Sequence, residues 1–383
     1  MIARRRYATA RVATTALSTL AAVILSSCDD SGVTTVVPRA PRSILVLDGF
    51  IQPALTSVPD TGVTTSRIAL GSTTEFDAGG FSLQNDTVLA VSSRAAGDLL
   101  YVVDITSSLV RKIQLPARSN PSRARLLKGT GGQALLGVAL RDSSSVALVT
   151  VSGSGAPVIA RLANAGTCPT DLFQYDNATW VVDANANCRT NYALQGDVRL
   201  IRIPNVGTAR DTLTVPGMRG SGAGAIVLND VAYVFAGGDA SFASFPYTLI
   251  SSGSIARIDL KNRRVISQKG LPTGTYGAGT KLGLDGYLYV TLYENLATFK
   301  NRIVKLRPDD LGFVGSATTS WLNLTGAGGV DVPCGSGQAD ALGRVHCIVN
   351  GTGSATSVVV FNTLGTEIRR VSAGQGGVDL WLR

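Results

Sequence analysis

Seven short, almost wholly apolar strands recur along this chain. They are Ile44-Leu45-Val46-Leu47, Val88-Leu89-Ala90-Val91, Ala134-Leu135-Leu136-Gly137-Val138, Trp180-Val181-Val182, Val231-Ala232-Tyr233-Val234-Phe235, Leu288-Tyr289-Val290-Thr291-Leu292 and Val345-His346-Cys347-Ile348-Val349. Their starts lie 44 to 57 residues apart. Strands without polar alternation are buried on both faces. That argues against a two-layer sandwich, whose strands alternate.

Each copy after the first follows a turn signal at the same relative place. These are Asn85-Asp86, Gly131-Gly132, Asp176-Asn177, Asn229-Asp230, Asp285-Gly286 and the looser stretch from Gly335 to Gly343. Such dipeptides close hairpins. Before the turn the pattern predicts another strand, often led by glycines: Gly79-Gly80-Phe81, Gly222-Ala223-Gly224, Gly277-Ala278-Gly279 and Gly328-Gly329-Val330. Glycine suits an innermost strand, where backbones crowd a central axis. After the apolar strand come a third and a fourth, clearest at Leu99 to Asp104 and Leu109 to Leu115. Matching pieces are Ser254 to Leu271, Arg302 to Trp321 and Ser357 to Val371. Four antiparallel strands repeated about every 50 residues predict an all-β propeller. The first unit lacks an innermost strand, and Gly376 to Leu382 reads as one with nothing following. One blade built from both termini closes a ring of seven and removes the open edges.

With that pattern the chain resembles the YVTN family of seven-bladed propellers. The resemblance rests on Tyr289-Val290-Thr291-Leu292 as second strand, and on Val102 to Val110 across a third strand, turn and fourth strand. It covers roughly residues 43–383, with blades 2, 5 and 6 matching well.

The N-terminus carries a different message. Arg4, Arg5, Arg6 and Arg11 precede an apolar run from Val12 to Leu25. That run is short of the roughly 20 residues a spanning helix needs; it fits a secretory signal. It ends in Leu25-Ser26-Ser27-Cys28, which resembles the lipobox of bacterial lipoproteins. The resemblance implies cleavage after residue 27, a lipidated Cys28 and an anchor to a bacterial membrane, on the periplasmic face or the cell surface. Residues 28–42 are polar, contain two prolines and read as a flexible tether. The propeller occupies 43–383. Beyond the signal, 31 basic residues face 26 acidic ones with no Lys/Arg block. A nucleic-acid surface shows a concentrated basic stripe, so no nucleic acid is expected.

Four cysteines remain, and an even number in an exported chain suggests disulfides. Cys168 and Cys188 flank the turn near Asn177, and Cys334 and Cys347 flank the region centred on Asp340. Antiparallel register places each pair opposite, predicting 168–188 and 334–347. No cysteine pair has a zinc-ligand spacing. The single histidine, His346, sits inside an apolar strand and reads as a core residue rather than an acid/base. No G-x-S-x-G elbow or phosphate-binding glycine loop occurs. Asp183, Asn185 and Asn187 alternate like half a calcium loop, but Cys188 stands where glycine belongs, and Leu194 where glutamate belongs. They are expected to cap turns.

Loop length breaks the symmetry of the repeat. Connections between second and third strands are long in three consecutive blades: Ala184 to Gly196, Gly238 to Gly253 and Tyr293 to Asn301. They carry Tyr192, Phe242, Phe245, Tyr247, Tyr293 and Phe299. Long loops on a rigid scaffold concentrate function, and aromatic rings favour partners. The chain therefore reads as a lipid-anchored, extracytoplasmic, non-catalytic binding or scaffold module of the bacterial cell envelope. It is expected to be a monomer whose ligand is an envelope protein, a glycan or a small molecule, with no cofactor, metal or catalytic residue assigned. The alternative is a propeller enzyme of the gluconolactonase or quinoprotein kind. Those resemblances imply a carboxylate-bound metal or a quinone at the channel mouth, with Asp77, Asp171, Asp331 and Asp379 as candidate ligands.

Overall fold

A computed structural model describes residues 41–383, apart from 42, 50, 64, 73–77, 85, 93–97, 128–132, 153–154, 205–209, 221, 243 and 316–319. The signal, Cys28, nearly all of the tether and Asp77 lie outside the described residues.

The apolar strands are buried because each has a strand on either side and another blade over each face. Ile44, Leu45, Val46 and Leu47 are all fully inaccessible, as are Val181, Val182, Val290 and Leu292. Outer strands show the opposite pattern. Val158–Asn164 and Arg264–Gly270 alternate between exposed and half-buried positions. Packing, not intrinsic strand preference, separates the two kinds.

Seven antiparallel sheets form a seven-bladed propeller. From the axis outward, blade 2 is Ala78–Gln84, Thr87–Ser92, Leu99–Asp104 and Leu109–Gln114. Blade 3 is Pro121–Leu127, Gln133–Leu140, Ser145–Ser152 and Val158–Asn164. Blade 4 is Pro169–Tyr175, Ala178–Asp183, Arg199–Pro204 and Asp211–Thr214. Blade 5 is Gly224–Leu228, Val231–Ser241, Thr248–Asp259 and Arg264–Gly270. Blade 6 has Tyr276–Leu282, Leu288–Asn295 and Lys300–Leu306; an outer segment bridges Phe313 to Leu306. Blade 7 is Ser336–Ala339, Val345–Asn350, Ala355–Phe361 and Glu367–Gln375.

Blade 1 joins both ends of the chain. Its inner strand is Gly377–Leu382, followed outward by Ser43–Asp48, Ala54–Pro59 and Ser66–Ala69. Ile44 pairs with Leu382 and Val46 with Leu380, and the Arg383 amide donates to the Ser43 carbonyl at 2.9 Å. Closure in this way gives Ser43–Asp48 a partner on its inner side and completes the ring.

The core lies between blades. Trp180, Val182, Val234, Ala256 and Ile258 fill one seam, with Phe173 stacked on Trp180 at 6.4 Å between centroids. Each such aliphatic or aromatic side chain contributes roughly 1.5–3 kcal/mol on burial. Glycine permits the closest approach: a Cβ on Gly277 would stand 2.4 Å from Cζ of Phe235 in the neighbouring blade.

Both disulfides pair as expected. Cys168–Cys188 spans 5.5 Å between Cα atoms and Cys334–Cys347 spans 5.4 Å. Two expectations need correction. Gly328 and Gly329 belong to a single 3-10 turn, Ala327–Gly329, in the link from blade 6 to blade 7. The inner strand of blade 7 starts later, at Ser336, because only there does the backbone pair with the second strand. The long connections of blades 5 and 6 are extended hairpins rather than loops. Their ladders run on to Ser241 opposite Thr248 and to Asn295 opposite Lys300. Among the described residues no helix is long and apolar enough to cross a membrane.

Candidate functional site: the loop face and the channel mouth

Hairpins joining second to third strands and the links between blades share one face of the ring. On it, the hairpins of blades 5 and 6 bring aromatic rings together. Phe242 meets Tyr247 edge-on at 5.2 Å, and Tyr247 meets Phe245 at 5.7 Å and Phe299 at 5.9 Å. Phe299 also meets Tyr293 at 5.6 Å and stacks on Phe245 at 6.4 Å. Such edge and offset contacts add about 0.5–1.5 kcal/mol each beyond area burial. The rings therefore fix one another, yet Phe245 stays 65% exposed, Phe299 44% and Phe242 39%. Ile250, on the same hairpin, is 65% exposed.

Five of the six rings expected from the sequence thus form one cluster. Tyr192 does not join it. The hairpin of blade 4 forms a small ribbon, Ala186–Asn187 with Ala193–Leu194, beside the Cys168–Cys188 bond. It turns Tyr192 toward blade 3, where its hydroxyl accepts from Nδ2 of Asn120 at 3.1 Å. The Arg141 guanidinium lies over its ring at 6.0 Å. Tyr276 enters the cluster instead, 5.7 Å from Phe242. Its only sequence signal is its place at the head of the glycine-led strand Tyr276–Leu282.

Tyr276 borders the axial channel: a Cβ on Gly222 would lie 3.6 Å from its hydroxyl. At the loop face the channel opens into a cavity of roughly 210 Å3, walled by Gly222, Ala223, Gly224, Ala278 and Gly279 and by Arg123, Arg125 and Arg141. The Arg125 guanidinium grips Asp171 with two bonds, Nε to Oδ1 at 3.0 Å and Nη2 to Oδ2 at 2.7 Å. Asp171 also accepts from the amides of Leu172 at 2.8 Å and Ala225 at 3.1 Å. Burial alone raises its carboxyl, but Arg125 outweighs that and holds it below the usual range.

Deeper in the channel Lys281 donates to Asp379, to the Leu380 carbonyl and to Ser336 Oγ at 2.7 Å. Ser336 Oγ in turn donates to Asp379 at 2.7 Å. Burial lowers the lysine, with Asp379 opposing it, and Asp379 itself is held low by Lys281 against its own burial.

Of the carboxylates offered above as metal ligands, Asp77 lies outside the described residues and the other three do not converge. Asp171 and Asp379 each serve a cation, and Asp331 sits outside the channel, exposed, paired with Arg302 and with Lys300 at 3.3 Å. Among the described residues no three His, Cys, Asp or Glu side chains are grouped to hold a metal ion. Asp183 caps the incoming link instead, accepting from the Cys168 amide at 2.7 Å and from Arg199 Nε at 2.9 Å. His346 is fully buried and donates from Nε2 to Asp340 at 3.0 Å, on the opposite face.

No protein-family model matches the chain, and no curated protein matches it in sequence. Solved structures do match its fold. A protein from Lactobacillus plantarum superposes with a TM-score of 0.57 at 13% identity, covering 90% of this chain and 100% of that one. A "putative 6-phosphogluconolactonase" from Bacteroides uniformis gives 0.58 at 12%, again over 90% and 100%. Cobalt-substituted Synechocystis apocarotenoid oxygenase gives 0.51 at 10%, over 91% and 94%. At such identities the likeness concerns the fold alone.

Proposed function

We propose that this chain is a lipid-anchored, extracytoplasmic binding module whose aromatic sector docks a partner in the bacterial cell envelope. One observation carries the reading: rings from two hairpins are locked against one another while their outer faces stay open to solvent. Rigid aromatic anchors give large contact area with little entropy lost on binding. The two disulfides fit an oxidising compartment, and the lipobox ending in Cys28 fits attachment to a membrane. The YVTN-like repeat supports a scaffold role for the propeller.

The triple variant F242A/F245A/Y247A tests it. Loss of capture of the partner from envelope extracts, with the fold retained, is the expected result. A lowered melting temperature with capture intact would make the cluster a self-packed lid and overturn the reading.

A further inference from the structure

Among the described residues, the cavity at the loop-face mouth carries positive charge that its own walls do not neutralise. Arg125 is matched by Asp171, and Lys281 by Asp379. Arg123 and Arg141 take part in no ion pair among the described residues. Arg123 donates one nitrogen, Nη1, to the Phe81 carbonyl at 3.0 Å. Arg141 donates Nη2 to Asn120 Oδ1 at 2.9 Å, and its Nε lies 3.5 Å from the Asn120 carbonyl. Both are half-buried and line the cavity together. Each keeps guanidinium hydrogens without a protein acceptor among the described residues.

The opposite wall is built to leave space. Gly222, Ala223, Gly224, Ala278 and Gly279 put almost no side chain into a volume of roughly 210 Å3. That is room for several waters, or for a small organic anion. Concave sites with one sign of charge and low-dielectric walls focus the field on a ligand. Guanidinium forks match the planar geometry of carboxylate and phosphate oxygens.

We infer that the channel mouth is a binding site for a small ligand bearing a carboxylate or phosphate group, held between Arg123 and Arg141. The Arg125–Asp171 pair forms its fixed wall. This site is separate from the aromatic docking sector and does not depend on it.

Titration calorimetry on the mature chain tests it with inorganic phosphate and with succinate as probes, against chloride at matched ionic strength. One saturable site per chain is expected for at least one probe, and the two probes show which oxyanion the site prefers. R123Q and R141Q should each weaken that binding tenfold or more. R264Q, on the outer strand of blade 5, should leave it unchanged. R123K, which keeps the charge but loses the fork, should fall between. F242A/F245A/Y247A should bind the probe normally, so failure of the docking reading and failure of this one are told apart. If R123Q does not fold, R141Q at the rim of the mouth decides. Absence of saturable binding of both probes, or affinity in both arginine variants unchanged from the parent chain, overturns the assignment.

Discussion

Asp48 and Asp340 are both fully inaccessible, yet their surroundings push them in opposite directions. Burial raises Asp48 to about 6; the hydrogen bond from Thr56 at 2.8 Å and the charge of Arg67 offset it only in part. One carboxylate oxygen, Oδ1, has no hydrogen-bond partner among the described residues. Burial also acts to raise Asp340, but hydrogen bonds from His346 and Arg344 hold it at about 2. The signs follow by linkage. Asp48 favours the folded state when protonated, so its contribution is full below 3.8 and lost as pH rises through about 6. At roughly 1.4 kcal/mol per unit the difference is about 3 kcal/mol. Asp340 contributes above 3.8, and that contribution is lost as pH falls through about 2. D48N should therefore raise the melting temperature at pH 8 and gain little at pH 4, whereas D340N should lower it at pH 8. A pH-independent effect of D48N would remove the buried-charge explanation. The other single-residue prediction concerns Cys28. C28A should leave an unlipidated protein in the soluble fraction, and a variant that stays with membranes after a high-salt wash would show another anchor.

At the scale of elements, strand periodicity and turn dipeptides were readable because burial on both faces leaves a run of apolar residues. Register was readable too: Cys168 and Cys188, and Cys334 and Cys347, flank their turns at matched distances. Peptide mapping under non-reducing conditions should find those two links and no cross-pairing. Removing Cys334–Cys347, which closes 13 residues, should lower stability by about 3 kcal/mol in the loop-entropy model. The direction in which a long hairpin leans was not readable. Tyr192 and Phe245 look alike as ring-bearing loop residues. A local ribbon and a disulfide send the first to Asn120, while continued ladder pairing carries the second out with Phe299. Gly328 and Gly329 misled for a related reason. Glycine marks tight backbone geometry but does not say whether a strand or a turn needs it, and both residues here adopt positive φ in a turn.

For the whole molecule, the ring is held shut by blade 1. Deleting Gly377–Leu382 would unpair Ser43–Asp48 and uncover Phe81, which packs on Trp381 at 6.1 Å. The truncated chain should aggregate or become protease-sensitive; a stable monomer would mean that closure needs no C-terminal strand. An opposite-face contact ties blade 1 to its other neighbour, since Arg344 of blade 7 reaches Asp60 of blade 1 at 3.1 Å. The sequence by itself determined the repeat, the number of blades, the closing strand and the disulfide partners. All of these depend on local period and spacing, which a linear chain displays. Only the tertiary structure decided which charges meet. Arg125 and Asp171 are 46 residues apart, Lys281 and Asp379 98. Their partnership arises because a ring gathers the inner strands around one axis, those of adjacent blades 3 and 4 for Arg125 and Asp171, and those of blades 6 and 1, with Ser336 of blade 7 between them, for Lys281 and Asp379. Arg123 and Arg141 face one cavity for a more local reason: both stand on blade 3, whose ladder sets Pro121 opposite Leu140 and Arg123 opposite Ala139.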